Sequence, residues 1–377
     1  MDKTTSFKVF RIFGIEVRVD YSWFIIFALI AYSFGFSYFP IVLPNTSPWL
    51  IAVITIVTTL LFFFSILFHE ISHSLTSKRH GIDVKTITLF IFGGIAQIER
   101  EPDTARKEFL ISIAGPLSSY FLAFVFSIVW MLGRYIPEVR EPFKYLTIIN
   151  IALGTFNLLP GFPLDGGRVL RSIIWRATKD FERSTIIASN VGIGFGFAII
   201  AVGIVYIFLG AFFNGIWLIF IGWFLQSAAS QAYQQIEIER SLKGVKVKDV
   251  ISTNIVSVPK DITIRELIDE WFLKYKYSKF PVVDTENDYK YMGVITLNDI
   301  KKVPRDKWDT VTAGEAVNIY VEEDKVEMDM ELYEAIKKMN NNNISALVVV
   351  ENGKIKGLLT KTDIMQFMRI KSQIKGR

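Results

Sequence analysis

The stretch LLFFFSILFHEISHSLTSKRHG, residues 60–81, decides how this chain is read. An apolar run this dense belongs in a membrane, yet it carries two imidazoles and a carboxylate before its first cation, Lys78. On a helix, residues four apart share one face, so His69 and His73 can chelate a single ion with Glu70 beside it. At about 1.5 Å rise per residue, His69 lies roughly 13 Å inside the helix end marked by Lys78. An ionisable trio at that depth is expensive and is by default a functional site. The competing reading is a chance HExxH of the kind soluble proteins carry on exposed helices, and the apolar surroundings speak against it. His80, in the interfacial KRHG, reads as an ordinary surface histidine.

The chain has no cysteine, which excludes disulfides, thiol nucleophiles and Cys-ligated metals. A transition-metal site must then use His and carboxylates, and two of only three His fall within this one window. Two neutral imidazoles and a third ligand hold zinc in an open tetrahedron, whose water has its pKa lowered to about 7. A neighbouring carboxylate, here Glu70, then takes the proton as the water attacks an amide carbon. For the third ligand the best candidate is Asp165, in NLLPGFPLDGG at 157–167. Pro160 and Pro163 break the helix there, and unwound backbone at membrane depth is tolerated only where it lines a buried or watery cavity. The alternative role for Asp165 is a turn carboxylate capping the helix that follows.

Working outward, six apolar segments are long enough to cross a hydrocarbon core: 21–39, 49–76, 108–133, 142–159, 186–209 and 213–231. Aromatic residues such as Tyr21, Trp49, Trp130 and Trp217 sit near their ends, as in an interfacial belt. The polar opening, MDKTTSFKVFRIFGIEVRVD, predicts that the first apolar run stays as a span and is not cleaved as a signal peptide. Cations crowd alternate connections: Lys8, Arg11 and Arg18 before the first segment, Lys78 to Lys107 after the second, and Arg168 to Arg183 after the fourth. The positive-inside bias places both termini in the cytoplasm of a multi-pass cell-membrane protein. The net charge of +5 is explained by these flanks, so no nucleic-acid partner is expected.

HEISH in an apolar helix, followed about ninety residues on by N-x-x-P-x-x-P-L-D-G-G, resembles the site-2 protease family of intramembrane metalloproteases, over residues 10–230. The resemblance implies one zinc held by His69, His73 and Asp165, with Glu70 as general base. It also implies that Asn157 positions substrate or stabilises the oxyanion, although Asn157 alone could be a helix-packing hydrogen bonder. FGGIAQIE, 92–99, reads as a Gly-loosened strand; in that family such a strand pairs with unwound substrate, while a plain hairpin is the alternative. AGPLSSY, 114–120, resembles the family's Gly-Pro motif and suits close helix packing around the site. Gly192, Gly194 and Gly196 follow no strand, so they are helix-packing residues and not a nucleotide loop.

After Glu237 the composition turns soluble, and from about residue 246 the sequence repeats with a period of 64–65. PVVDTENDYKYMGVITLNDI answers ALVVVENGKIKGLLTKTDI, which sets Thr296 and Asp299 over Thr360 and Asp363. Each copy opens with a short strand (IVSV; NIYV) and an amphipathic helix (TIRELIDEWF; MELYEAIKKM), followed by two apolar strands and a second helix. This resembles a tandem pair of CBS domains, which implies an adenine nucleotide such as ATP or AMP, contacted through Asp299 and Asp363, and pairing of two subunits. Thr and Asp at this spacing also serve simply as a helix N-cap.

The expected architecture is thus an α-helical polytopic membrane protein with six transmembrane helices and a C-terminal α/β tandem CBS module. Its boundaries are 1–235 for the membrane domain, 246–305 for the first CBS domain and 306–370 for the second. The expected function is zinc-dependent endoproteolysis of transmembrane protein substrates within the lipid bilayer, near its cytosolic side, with nucleotide regulation. The alternative is a membrane transporter or channel with a regulatory CBS tail, in which the His, Glu and Asp form an ion path. Transport has no need of a general base beside two ligands. A third possibility is an inactive relative serving as scaffold, and the intact trio counts against that.

Overall fold

A two-residue turn starts the described chain: Phe13 and Gly14 both take positive φ, 50° and 78°, the twist that closes a tight hairpin. It joins β1 (Ser6–Ile12) to β2 (Ile15–Asp20). Asp20 then caps α1 (Tyr21–Tyr32), accepting from the amide of Ser22, and the helix runs on through a π turn to Val42. The structure is a computed structural model and describes residues 6–91, 93–252, 255–277, 279–286, 290–319, 325–342, 344, 346–351 and 354–375.

After α1 comes the long α2 (Pro48–Arg79), started by Ser47 as N-cap with Pro48 in the first turn. It delivers β3 (Val84–Phe90), which pairs parallel with β2, Glu16–Val19 against Thr86–Leu89. Parallel neighbours need a long crossover, and α1 with α2 supplies it. β4 (Gly93–Ile98) returns antiparallel to give the order β1-β2-β3-β4. One face of this sheet (Ile15, Val84 and Ile87) buries itself on Leu67, Ile71 and Leu75, the half of α2 that holds the HExxH. Phe92, which opens the glycine-loosened segment, lies outside the described residues; Gly93–Ile98 forms the expected strand.

The remaining helices of this unit are α3 (Ala105–Leu132), α4 (Pro137–Asn157), α5 (Asp165–Thr178), α6 (Phe181–Phe208) and α7 (Phe212–Leu242). α3 and α4 close on α2 through Leu122, Phe126 and Leu146, packed against Leu61 and Phe62. Gly192 meets the carbonyl of Phe162, and Gly196 leaves no room for a side chain against Gly222 and Gln226. Gly194, between them, faces open space, so the four-residue spacing is what brings these backbones together.

Among the described residues five helices are long and apolar enough to cross a membrane: Tyr21–Val42, α2, α3, α6 and α7. The expected 142–159 segment corresponds to α4, which falls short because Glu138, Arg140, Glu141 and Lys144 fill its opening turns.

The chain divides into two compact units, Met1–Glu237 and Ile238–Arg377. The second is built on one sheet, ordered β5 (Val258–Pro259), β6 (Lys279–Asp284), β7 (Lys290–Thr296), β11 (Lys354–Thr360), β10 (Ala346–Glu351) and β9 (Lys325–Val326), with β8 (Asn318–Ile319) on β7. The repeat is plain in the pairing. The β6–β7 and β10–β11 hairpins each carry a bulge beside Gly293 and Gly357, one repeat period apart. Each copy has its own core, Leu267, Phe280 and Ile295 in one and Leu332, Leu347 and Leu359 in the other. Tyr320 and Val321, the end of the NIYV segment, lie outside the described residues.

Candidate metal centre

α2 carries His69 and His73, both buried, with their Nε2 atoms 3.1 Å apart. Asp165 Oδ2 lies 3.1 Å from each. Among the described residues this is the one group of three side chains whose ligand atoms lie close enough together to hold a metal ion.

Proton bookkeeping explains the convergence. His73 Nδ1 sits 2.6 Å from the carbonyl of Ile111, which can only accept, so Nδ1 carries the hydrogen and donates it. In neutral imidazole Nε2 is then a bare lone pair. His69 makes the matching contact, with Nδ1 2.9 Å from Ser119 Oγ. With the Ser119 hydroxyl accepting from His69 Nδ1 in the same way, two imidazole lone pairs and a carboxylate oxygen face one another at 3.1 Å, a set that can hold a cation. The spacing is close to that of a zinc site, because a tetrahedron with bonds of about 2.0–2.2 Å has edges of roughly 3.3–3.6 Å.

α3 supplies the back wall. Ile111, Gly115 and Ser119 recur every four residues on one face, and a Cβ at Gly115 would collide with both Nε2 atoms. The AGPLSSY segment was expected to serve packing, and it does. Sequence reasoning missed that its Ser119 and the Ile111 carbonyl also orient the imidazoles. We expect Ser119→Ala to weaken zinc binding by about 10–100-fold, the usual worth of such an outer partner, as read by competition with a chelator.

Asp165 arrives from a broken connection. α4 ends at Asn157, Leu158–Leu164 is irregular with a cis Phe162–Pro163 bond, and Asp165 is the first residue of α5. The turn is tight because a Cβ at Gly166 would meet the carbonyls of Leu158 and Leu159. Its side chain caps nothing, since the N-cap position, Leu164, makes no side-chain bond. The carboxylate is thus directed to the imidazoles and not to its own helix.

One turn and a half further along α5, Arg171 is 4% exposed and paired with Glu108 of α3, itself 1% exposed. Arg171 Nε donates to Glu108 Oε1 at 2.6 Å, and the guanidinium lies 5.1 Å and 4.5 Å from the Phe162 and Phe181 rings. Arg171 was counted from sequence among the loop cations. The structure buries it instead, because a Glu inside an apolar segment needs a partner. Glu108 was the missed signal. Arg171→Met leaves that carboxylate buried and unpaired, so we expect a loss of about 3–5 kcal/mol of stability in detergent unfolding, largely recovered by adding Glu108→Leu.

Glu70 follows His69 on α2, and its carboxyl lies against β4, where a Cβ at Gly94 would meet its Cγ. Asn157 ends α4 and is half-buried; among the described residues its side-chain amide has no hydrogen-bond partner. His80 sits past the end of α2, its ring nitrogen 2.8 Å from the Thr76 carbonyl, away from the triad.

In the second unit both T-x-x-D pairs are capping boxes. Thr296 Oγ1 donates to Asp299 Oδ2 at 2.6 Å and accepts from the Asp299 amide, starting α8 (Leu297–Lys302). Thr360 and Asp363 repeat the box with the same 2.6 Å bond at the start of α9 (Lys361–Lys375). The two differ in surroundings. Burial works against the charge of Asp299, but bonds from Thr296 and from Lys302 Nζ at 3.0 Å hold its carboxyl below the usual range. Thr360 and Asp363 instead line a cavity of about 560 Å³ with Tyr277, Lys276 and Phe280.

The model for peptidase family M50 matches residues 57–139 and 135–201, and that for the CBS domain matches 247–306 and 320–370. A Synechocystis protein provisionally named a zinc metalloprotease is 35% identical over 371 residues, covering 97% of this chain and 96% of its own. A zinc metalloprotease of Methanocaldococcus jannaschii is 33% identical over 366 residues, with the same coverage of 97% and 96%. A solved site-2 protease of that organism aligns at 28% identity over 60% of this chain and 95% of its own, with a TM-score of 0.42.

Proposed function

The chain belongs to peptidase family M50, the site-2 protease family of zinc metalloproteases, and on that premise we propose that it hydrolyses peptide bonds of transmembrane proteins inside the bilayer, near the cytosolic side. The observation that carries this reading is the convergence of three ligand atoms, His69 Nε2, His73 Nε2 and Asp165 Oδ2, at 3.1 Å from one another, with the carboxylate of Glu70 one residue away. Membership of a protease family weighs against the transporter reading, and the intact trio His69, Glu70 and His73 against the scaffold reading.

His69, His73 and Asp165 are the residues that would hold the ion. Zinc, when bound there, supplies a Lewis acid that activates water and polarises the scissile carbonyl. Glu70 takes the proton from the attacking water and passes it to the leaving amide nitrogen. Asn157, with a free amide group at the end of α4, offers a donor for the substrate's carbonyl oxygen. A substrate helix must first unwind, and each freed backbone group costs several kcal/mol if left in lipid. β4 ends the sheet and lies beside Glu70, so its outer edge offers an unwound segment a backbone partner.

In this reading the membrane domain spans 1–235 and crosses six times, with the 21-residue α4 as the fourth crossing in chain order. Both termini are cytoplasmic, and residues 246–305 and 306–370 form the paired CBS domains, through which two chains dimerise. Reconstituted protein should hold one zinc per chain and cut a reporter membrane peptide, with the cut abolished by chelator and restored by zinc. A wild type without zinc, or one that cuts only on the extracytoplasmic half, refutes the proposal.

The CBS pair regulates cleavage by binding an adenine nucleotide, and the cavity lined by both repeats favours Thr360 and Asp363 as its contacts. ATP titrated into the full-length protein should bind roughly ten- to a hundredfold more weakly in Asp363→Ala, the worth of a charge-assisted hydrogen bond. Asp299→Ala should bind as wild type does, since Lys302 already occupies that carboxylate.

A further inference from the structure

The N-terminal hairpin presents an apolar surface that its own unit leaves uncovered. In β1 the register with β2 shifts between Lys8 and Phe10, a bulge at Val9. Side chains of a strand alternate between faces, so one inserted residue flips everything beyond it. Because of the bulge, Phe7 pairs with Val19, Phe10 with Val17 and Ile12 with Ile15, whereas Lys8 pairs with Arg18 and Arg11 with Glu16. Directly paired residues share a face. The rings of β1 therefore lie on the same face as Ile15, Val17 and Val19, and the cations on the other. Ile15, Val17 and Val19 are buried, but Phe7 and Phe10, one strand further out, stay exposed.

This apolar overhang is continuous with α1. The Phe7 ring lies 6.0 Å from Tyr21 and 6.1 Å from Phe24, both exposed in the first turn of an apolar helix that begins directly after β2. At the hairpin turn Phe13 is 65% exposed and held at φ 50°, where glycine or asparagine is the usual choice. Its carbonyl accepts from Lys78 Nζ at 2.8 Å, which pins the tip to the end of α2.

We propose that the β1–β2 hairpin is a membrane-surface element. Phe7, Phe10 and Phe13 enter the lipid interface where α1 enters the bilayer, and Lys8 and Arg11 face water. With no linker between β2 and α1 the hairpin stays at that interface, and aromatic rings backed by cations are the composition such a surface takes.

The chain has no cysteine, so Phe13→Cys or Phe10→Cys gives the full-length protein a single thiol for a polarity-sensitive dye. Lys85→Cys, on exposed β3 surface, is the aqueous control. In phosphatidylcholine vesicles the dye at 13 should emit to the blue of the dye at 85. It should be quenched severalfold less by iodide, and quenched by lipids brominated near the headgroup. The dye at 10 should behave as the dye at 13 does, and serves if the turn rejects cysteine. Equal iodide access at 13 and 85 overturns the proposal. Protection that appears only with added membrane peptide, or only at high protein-to-lipid ratio, also overturns it and assigns the face to substrate or to a second copy.

Discussion

Glu70→Gln retains its zinc and loses cleavage by roughly 10²–10⁴-fold, the range general acid–base catalysis contributes. The two halves of this expectation have separate causes. The ligand atoms come from His69, His73 and Asp165, and Glu70 makes no contact with them within hydrogen-bond distance. On the helix it points about 100° away from His69, toward β4. Glutamine has the same shape and fills the same space, so the fold and the metal site are unchanged. What glutamine lacks is a basic oxygen, and without one the attacking water keeps its proton. Zinc stoichiometry by mass spectrometry and turnover of a reporter membrane peptide separate the cases. Zinc lost together with activity would make Glu70 a structural residue, and activity retained would place the base elsewhere.

Residues with an identity at a fixed spacing were legible in the sequence. HExxH on one helix face, an aspartate behind two prolines and a 64–65-residue repeat each impose a pattern that letters can show. Groups acting through the backbone or through absence were not. The Ile111 carbonyl, which fixes the His73 tautomer, could belong to any residue type, and Gly115 matters for the side chain it lacks. Arg171 looked like one loop cation among several because its partner is 63 residues earlier in the chain. α4 read as a span because the 142–159 window leaves out Glu138, Arg140 and Glu141 and keeps only Lys144 of its opening charges. The T-x-x-D pairs were read as both caps and ligand contacts. The capping boxes are present in both copies, and the cavity, lined by residues of both, takes in the second box, Thr360 and Asp363.

Asp165→Ala weakens zinc binding by roughly 10²–10³ and loses cleavage once a chelator competes, while the membrane unit stays folded. Structural zinc sites with four protein ligands bind with about 10–16 kcal/mol in total, so a single ligand accounts for roughly 10²–10³ in affinity. Asp165 is also the one anion in the set; without it two neutral imidazoles must hold a dication alone. The fold survives because α5 does not depend on this carboxylate. Its N-cap, Leu164, uses no side-chain bond, and the helix is fixed on α3 by Arg171 and Glu108. Asp165→Asn sharpens the test, since it retains an oxygen in place and removes only the charge. If charge matters, Asn binds zinc more weakly than wild type and more tightly than Ala. Chelator competition gives the affinities, and detergent unfolding shows whether the fold has changed. Zinc bound by Asp165→Ala as tightly as by wild type would mean that the third ligand is another residue.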